Sequence, residues 1–242
     1  MAELWLGDCL ELMPQIADQS VDLILCDLPY QVSARYKWDI LIPFEPLWQQ
    51  YRRILKHKGT ILLFATEPFR TQLISSNFDM FKYDLIWEKN KSTGFLNAKK
   101  QPLRKHESIL VFYKKLGTYN PQKSSGHTPV HNYRHNGETS YLYGKTKPWQ
   151  GGGSTERYPT SILKFNVVNN DNKEKIHESQ KPVQLLEYLI QTYSNKNDLV
   201  LDNCSGSGST LVAAKNTGRQ FIGIEKEITF YEHSKKRLNL IE

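Results

Sequence analysis

Cysteine is scarce in this chain: there are three in 242 residues, Cys9, Cys26 and Cys204. The number is odd and the spacing matches no metal-binding pattern. A disulfide framework and a zinc module are therefore set aside, and the three are read as reduced thiols acting as small buried hydrophobes near strand ends. Long apolar runs are also missing, since none approaches the ~18 residues of a membrane span. The opening Met1-Ala2-Glu3-Leu4 lacks the basic start and apolar core of an export signal, so a cytoplasmic protein with no membrane partner is expected. No internal repeat is found. Acidic residues are thin in one place. Between residues 91 and 176 there are 15 Lys+Arg against 5 Asp+Glu, whereas the rest carries 17 against 20. The net charge of +7 thus belongs to one segment. A basic segment on a mildly acidic body is the footprint of a polyanion partner, with a solvated surface as the plain alternative.

What is present supports a core: 39% of residues are hydrophobic and 12% aromatic, too many for disorder. Short apolar strands are expected at residues 3–6, 21–26, 60–65, 83–87, 108–113, 199–201 and 221–224. Amphipathic helices are expected at 9–16, 44–56, 68–75, 182–193, 209–216 and 228–240, with stops at Lys58-Gly59 and Thr217-Gly218. Strands alternating with helices predict an α/β fold, a doubly wound, mostly parallel seven-stranded Rossmann-like sheet. From Leu116 to Ile176 the rhythm breaks. That stretch holds Pro121, Pro129, Pro148 and Pro159 and the joint Gly151-Gly152-Gly153. So long an irregular segment within a compact domain is expected to be a functional insert.

Two strand ends carry the chemistry. Leu199-Val200-Leu201 runs into Asp202-Asn203-Cys204-Ser205-Gly206-Ser207-Gly208-Ser209-Thr210. Gly206 and Gly208 between a strand and a helix let backbone turn tightly against a ligand. Glu225 closes the next strand, where an adenosine-binding βαβ unit places an acid for the ribose hydroxyls. A dinucleotide fingerprint would need a small residue at Leu211 and would avoid an acid such as Asp202 facing a pyrophosphate. A carboxylate there suits a ligand bearing an ammonium and a sulfonium, which describes S-adenosylmethionine. The plain alternative is a structural turn in which Asp202 caps the following helix.

The other strand end is Asp27-Leu28-Pro29-Tyr30. The exocyclic amine of a nucleobase is a poor nucleophile because its lone pair is delocalised into the ring. Two acceptors on its two hydrogens, the Asp27 carboxylate and the Leu28 carbonyl, would pull the nitrogen toward sp³. Tyr30 offers a flat face for an extruded base, and Pro29 stiffens the loop. Alone, such a tetrapeptide is most simply a strand-to-loop turn. Beside the second loop and the basic segment it points to methyl transfer onto a base amine.

With both loops placed, the chain resembles the β-class amino-DNA methyltransferases over nearly its whole length. In that class the catalytic motif precedes the cofactor motif, and a target-recognition region lies between them. Asp27-Leu28-Pro29-Tyr30 matches the family's Asp-Pro-Pro-Tyr, with Leu28 in place of proline. Asp202 to Gly208 matches Asp-x-Phe-x-Gly-x-Gly, with Cys204 in place of phenylalanine. His177-Glu178-Ser179-Gln180-Lys181-Pro182 resembles a stretch that opens a helix beside the methionine carboxylate, which implies a cofactor role for Ser179 and Lys181. Gly7-Asp8 resembles the site whose acid meets the cofactor's adenine, and Glu225 matches the ribose acid. The resemblance implies three parts: a catalytic half (1–115), a recognition insert (116–176) and a cofactor half (177–242). It implies an S-adenosylmethionine-dependent DNA methyltransferase. Asp27 favours adenine N6. Cytosine N4 or RNA methylation is the alternative within the class, and a silent DNA-binding subunit is the alternative outside it. Double-stranded DNA is the expected partner, with a homodimer and a cognate restriction endonuclease as further candidates. Lys145, Lys147 and Arg157, interleaved with Tyr133, Tyr141, Tyr143, Trp149 and Tyr158, are the expected DNA contacts. His127, His131 and His135 lack nearby cysteines or acids, so no metal is expected there. Trp38 is read as core.

Overall fold

The computed structural model describes residues 1–31, 40–137, 139–141, 144–168 and 180–240. Trp38, Tyr143 and residues 177–179, Ser179 among them, lie outside this set. In chain order the elements are β1 (Ala2–Leu6), α1 (Cys9–Leu12), β2 (Val21–Cys26), α2 (Phe44–Ile54), β3 (Leu55–Ala65), α3 (Phe69–Ser76), β4 (Phe81–Thr93) and β5 (Arg104–Phe112). There follow the short strands β6 (Tyr133–His135), β7 (Thr139–Ser140), β8 (Gly144–Lys145) and β9 (Trp149–Gly151). The chain closes with β10 (Ile162–Lys164), α4 (Val183–Tyr193), β11 (Leu199–Asp202), α5 (Ser209–Asn216), β12 (Gln220–Glu225) and α6 (Ile228–Arg237).

Eight strands make one sheet in the order β1-β12-β11-β2-β3-β5-β4-β10. Neighbours are parallel except where β5 meets β3 and β4, so β5 runs against the rest. The central strands bury both faces, as their unbroken apolar runs require. Ile24 and Cys26 of β2, with Ile61 and Leu63 of β3, face one cluster shared with α2, whose Leu47, Trp48, Tyr51 and Ile54 recur at helical spacing. Leu23, Leu25, Leu62 and Phe64 face the other cluster, shared with α4 and α5. Helices on both faces make the sheet doubly wound.

β2 connects through α2 to β3 on one side, and β11 connects through α5 to β12 on the other. The strand order therefore reverses between β2 and β11. Open α/β sheets bind ligands at the carboxyl ends of the strands flanking such a switch point.

The sequence pattern misses several features. The eighth strand, β10, is three residues long, with Leu163 as its one buried side chain, too short to register as a run. The helix expected over 9–16 is a single α-turn followed by a 3-10 turn at Met13–Gln15, because Pro14 cannot donate to the helix. Lys58-Gly59 ends no helix: α2 stops at Ile54 and the chain enters β3 at once, burying Leu55 opposite Val21. Residues Pro121–Thr160 form a separate compact unit inside the 116–176 segment that the sequence sets apart, of which residues 169–176 lie outside the described set. Within it β6 pairs with β9 and β7 with β8, and Trp149 meets Tyr133 edge-on at 4.9 Å. Asn120 is held to the end of α4 through Thr192 at 2.7 Å, and β10 adds to the sheet beyond β4.

Candidate active site

A cavity of about 570 Å³ opens at the switch point. Its walls include Asp8, Asp27, Leu28, Pro29, Tyr30, Lys181, Asp202, Cys204, Gly206 and Glu225. Residues from the ends of β1, β2, β11 and β12 and from the start of α4 thus meet around one space. Gly208 is not part of the wall. It turns the chain into α5 with φ +71, and a Cβ there would come within 2.9 Å of Ser234 Oγ, so glycine is required by both conformation and packing.

The Asp27 carboxylate is held on both oxygens. Tyr30 donates its hydroxyl to Oδ1 at 2.6 Å, and Lys181 Nζ donates to Oδ2 at 2.5 Å. The Tyr30 ring stacks on Phe69 at 4.9 Å and 22°, so one face is already covered. Burial, and then the neighbouring Asp27, push its phenol well above the usual range, so it is a donor and not an anion. Lys181 is buried. Burial alone would drain its charge, but Asp27 and Glu107 more than offset this and hold it above the usual lysine range. Its second carboxylate neighbour, Glu107 Oε2, lies 3.3 Å away. Glu107 is in turn ion-paired with Lys89. Against its own burial, Lys181 and Lys89 keep it below the usual carboxylate range. Among the described residues Glu107 Oε2 has no partner in hydrogen-bonding geometry. Glu107 and Lys89 escaped the sequence reading because they sit on β5 and β4, far in sequence from either loop. The one available signal was an acid at the start of the apolar run Ile109–Phe112.

The Asp202 carboxylate is in the opposite situation. It is 3% exposed, and burial pushes it up to about 6, against hydrogen bonds from Thr210 and the Cys204 amide. It has no ion pair among the described residues. Glu225 Oε2 accepts the Gly206 N–H at 2.6 Å and Oε1 the Glu227 N–H at 2.8 Å. Asp8 caps α1 through the Leu10 N–H at 2.9 Å and meets Lys226 at 3.1 Å. Ser205 Oγ is buried with no partner among the described residues. A cavity with a buried carboxylate lacking a cation, a second acid with spare lone pairs and an orphan hydroxyl fits a cationic ligand that also carries hydroxyls. The residues present therefore fit S-adenosylmethionine.

The three cysteines converge beside this cavity from the end of β2, the start of α1 and the loop after β11. Hydrogen bonding to Cys204 raises Cys9, and burial pushes Cys26 up to about 12. Neither is a thiolate at neutral pH, so they pack and do not react.

Of the expected DNA contacts, Lys145 and Lys147 are exposed. Arg157 is otherwise engaged: it donates to the backbone carbonyls of Thr128, Ser154 and Glu156 at 2.5–3.1 Å and braces its own unit. His127 bonds Ser124 at 2.6 Å, and His135 bonds Thr146 at 3.1 Å.

The chain resembles known proteins over nearly its whole length. The profile of a DNA methylase family of the N6/N4 type matches residues 21–236. The type II methyltransferase M1.MboII of Moraxella bovis is 29% identical over 97% of this chain and 95% of its own length. The type II methyltransferase M.HinfI of Haemophilus influenzae is 28% identical over 98% of this chain and 68% of its own. Among solved structures, M1.HpyAVI in complex with SAM superposes with a TM-score of 0.68 at 23% identity, covering 99% of this chain and 100% of that one. The cytosine-N4-specific PvuII DNA methyltransferase superposes with a TM-score of 0.70 at 15% identity, over 99% and 86%. At these identities the two structures speak for a shared fold.

Proposed function

The chain belongs to the N6/N4 DNA methylase family, and from that premise we propose that it methylates adenine at N6 within a specific DNA sequence. The class of reaction, S-adenosylmethionine-dependent methylation of DNA, follows from the family and its type II relatives. The choice of adenine rests on Asp27. The observation that carries the reading is that Asp27 and Asp202 end neighbouring parallel strands and line one cavity.

When bound, the cofactor supplies a methyl group on a sulfonium centre. Asp202 would hold its cationic end, Glu225 the ribose hydroxyls and Asp8 the adenine edge. Gly206 lets the backbone approach. Ser179 is assigned to the methionine carboxylate. Lys181 is reassigned from that carboxylate to Asp27, because its ammonium is buried between Asp27 and Glu107. The target base lies against Tyr30 and Pro29. Its amine gives one hydrogen to Asp27 and one to the Leu28 carbonyl, which localises the lone pair. With the cofactor bound, that pair would accept the methyl group given up by the sulfonium, and Asp27 would receive the surplus proton. For the amine to take Asp27 Oδ2, Lys181 must share that oxygen, and Glu107 Oε2 is placed to receive the released contact. Lys145 and Lys147 are assigned to phosphates. Arg157 is assigned to the architecture of its own unit.

The test is to express the protein in cells lacking other DNA methyltransferases and map modified bases by single-molecule sequencing. N6-methyladenine in one short motif is the expected result. N4-methylcytosine would move the target base. Unmodified DNA, together with no methyl transfer by the purified protein, would overturn the reading.

A further inference from the structure

The positive charge of the chain is not centred on the compact unit. Residues 121–160 hold 5 Lys+Arg and 2 Asp+Glu, whereas residues 91–120 hold 7 and 1. Most of that second group lies on the hairpin between β4 and β5, where residues 89–106 carry six Lys+Arg and no acid. The hairpin is far longer than the apolar runs 83–87 and 108–113 imply. Beyond Ser108 it loses β3 as a neighbour, and beyond Glu88 it loses β10. The two strands then continue as an unaccompanied ribbon, pairing Glu88 with His106 and, after a register shift, Thr93 with Arg104. Every residue from Asn90 to His106 is exposed.

The tip is built. Gly94 turns the chain at φ +89 with nothing within 4 Å of a Cβ position. A 3-10 turn over Phe95–Asn97 follows, closed by Asn97 N–H to Gly94 O at 2.9 Å and Ala98 N–H to Phe95 O at 3.0 Å. This turn holds Phe95 at 80% and Leu96 at 99% exposure. Exposing two adjacent large apolar side chains contributes nothing to folding, and a two-stranded ribbon is marginal by itself. The root of the ribbon lies at the catalytic centre. Lys89 and Glu107 are paired there, and Glu107 leads through Lys181 to Asp27. β4 runs parallel to β2, so the ribbon leaves the sheet at the edge that carries Asp27.

We propose that residues 90–106 are a DNA-contacting arm, with Lys99 and Lys100 on phosphates and Phe95-Leu96 as an apolar wedge against the bases beside the extruded one. This rests on the DNA methyltransferase reading. A two-stranded ribbon fits a B-DNA groove, and apolar side chains inserted between base steps lower the cost of unstacking. The charge fits a duplex: Lys89 and Lys105 are paired with Glu107 and Glu88, but Lys99, Lys100 and Arg104 make no ion pair among the described residues and would repel a second copy of the same arm.

The experiment compares the full-length parent with Lys99→Ala/Lys100→Ala and with Phe95→Ser/Leu96→Ser, on duplexes carrying the mapped site. Calorimetry with S-adenosylmethionine is expected to give parental affinity in both. The lysine pair should flatten the slope of log affinity against log salt by up to about 0.9 per lost contact. The tip pair should keep the parent's salt slope and lose about tenfold or more in turnover on the paired duplex. It should recover on a duplex whose target base is mismatched, where opening costs less. Parental binding and turnover in both variants would overturn the arm. So would a change in sedimentation alone, which would make the tip a self-association surface. A parent that binds cofactor but neither binds nor methylates DNA would instead remove the DNA methyltransferase reading, and the arm with it.

Discussion

Asp27 and Asp202 end adjacent strands of one sheet and line one cavity, yet their surroundings are opposite. Asp27 has a 26% exposed side chain with a permanent cation, Lys181, and a phenol. Asp202 is 3% exposed, has no ion pair among the described residues and is pushed up to about 6 by burial. The contrast separates two tasks. In the proposed mechanism the carboxylate that acts on a weakly polar amine is already paired with a cation of the protein. The carboxylate proposed for the cationic ligand has no ion pair among the described residues, so that the ligand would supply its partner and gain affinity from doing so.

The sharpest way to break the comparison is Asp27→Ala. Turnover should fall by about a hundredfold or more, the scale of losing one preorganised electrostatic group, while calorimetric affinity for S-adenosylmethionine stays within about twofold. Equal losses in both would mean that the two carboxylates share one task.

Asp202→Asn should do the reverse. Cofactor affinity should drop about tenfold or more, as for a lost charge-assisted hydrogen bond of about 1.5–3 kcal/mol. The unliganded protein should become more stable. A carboxyl raised in the folded state contributes stability that is fully present below its unfolded value of 3.8 and is lost as pH rises through about 6. That loss amounts to about 3 kcal/mol at neutral pH, taking about 1.4 kcal/mol per unit. Denaturant melts should show the parent weakening between pH 4 and about 6 more than the variant does. Cofactor affinity in the parent should rise over the same window. A parent with a flat profile would show that Asp202 is compensated.

A smaller effect sharpens the other half of the contrast. Glu107→Gln removes the second carboxylate facing Lys181, so the lysine holds Asp27 Oδ2 more tightly against the incoming amine. An approximately tenfold fall in kcat is expected, with unchanged cofactor affinity and partial rescue by Glu107→Asp. If cofactor affinity falls instead, Lys181 serves the cofactor and its place on Asp27 is incidental.

These assignments were unequally legible in the sequence. The doubly wound sheet was legible because strands buried on both faces leave unbroken apolar runs, as in Leu23–Cys26 and Ile61–Ala65. The two loops were legible because local spacing encodes a strand-end turn. Glu107 was not, since its role depends on β5 lying between β3 and β4, a pairing that no local pattern records. The ribbon beyond Glu88 was missed because an exposed ribbon has neither face to bury and so shows no alternation. The setting of Arg157 is hidden for a related reason. A cation among tyrosines looks alike in sequence whether or not it also braces three carbonyls of its own unit.

The smallest effect concerns the remaining oxygen of Asp27. Tyr30→Phe deletes one donor, at 2.6 Å from Oδ1, and keeps the ring that stacks on Phe69. Because Lys181 still holds Oδ2, the carboxylate stays paired and nearly in place. The loss should be about 1 kcal/mol, or about fivefold in turnover, with cofactor affinity unchanged. Tyr30→Ala also removes the flat wall proposed for the base, which adds about 1–3 kcal/mol and should appear as weaker base extrusion by 2-aminopurine fluorescence. The order of the two variants is the test. If Tyr30→Phe is as damaging as Asp27→Ala, the phenol moves a proton in the reaction, and the carboxylate on β2 is not the group that receives the amine's hydrogen.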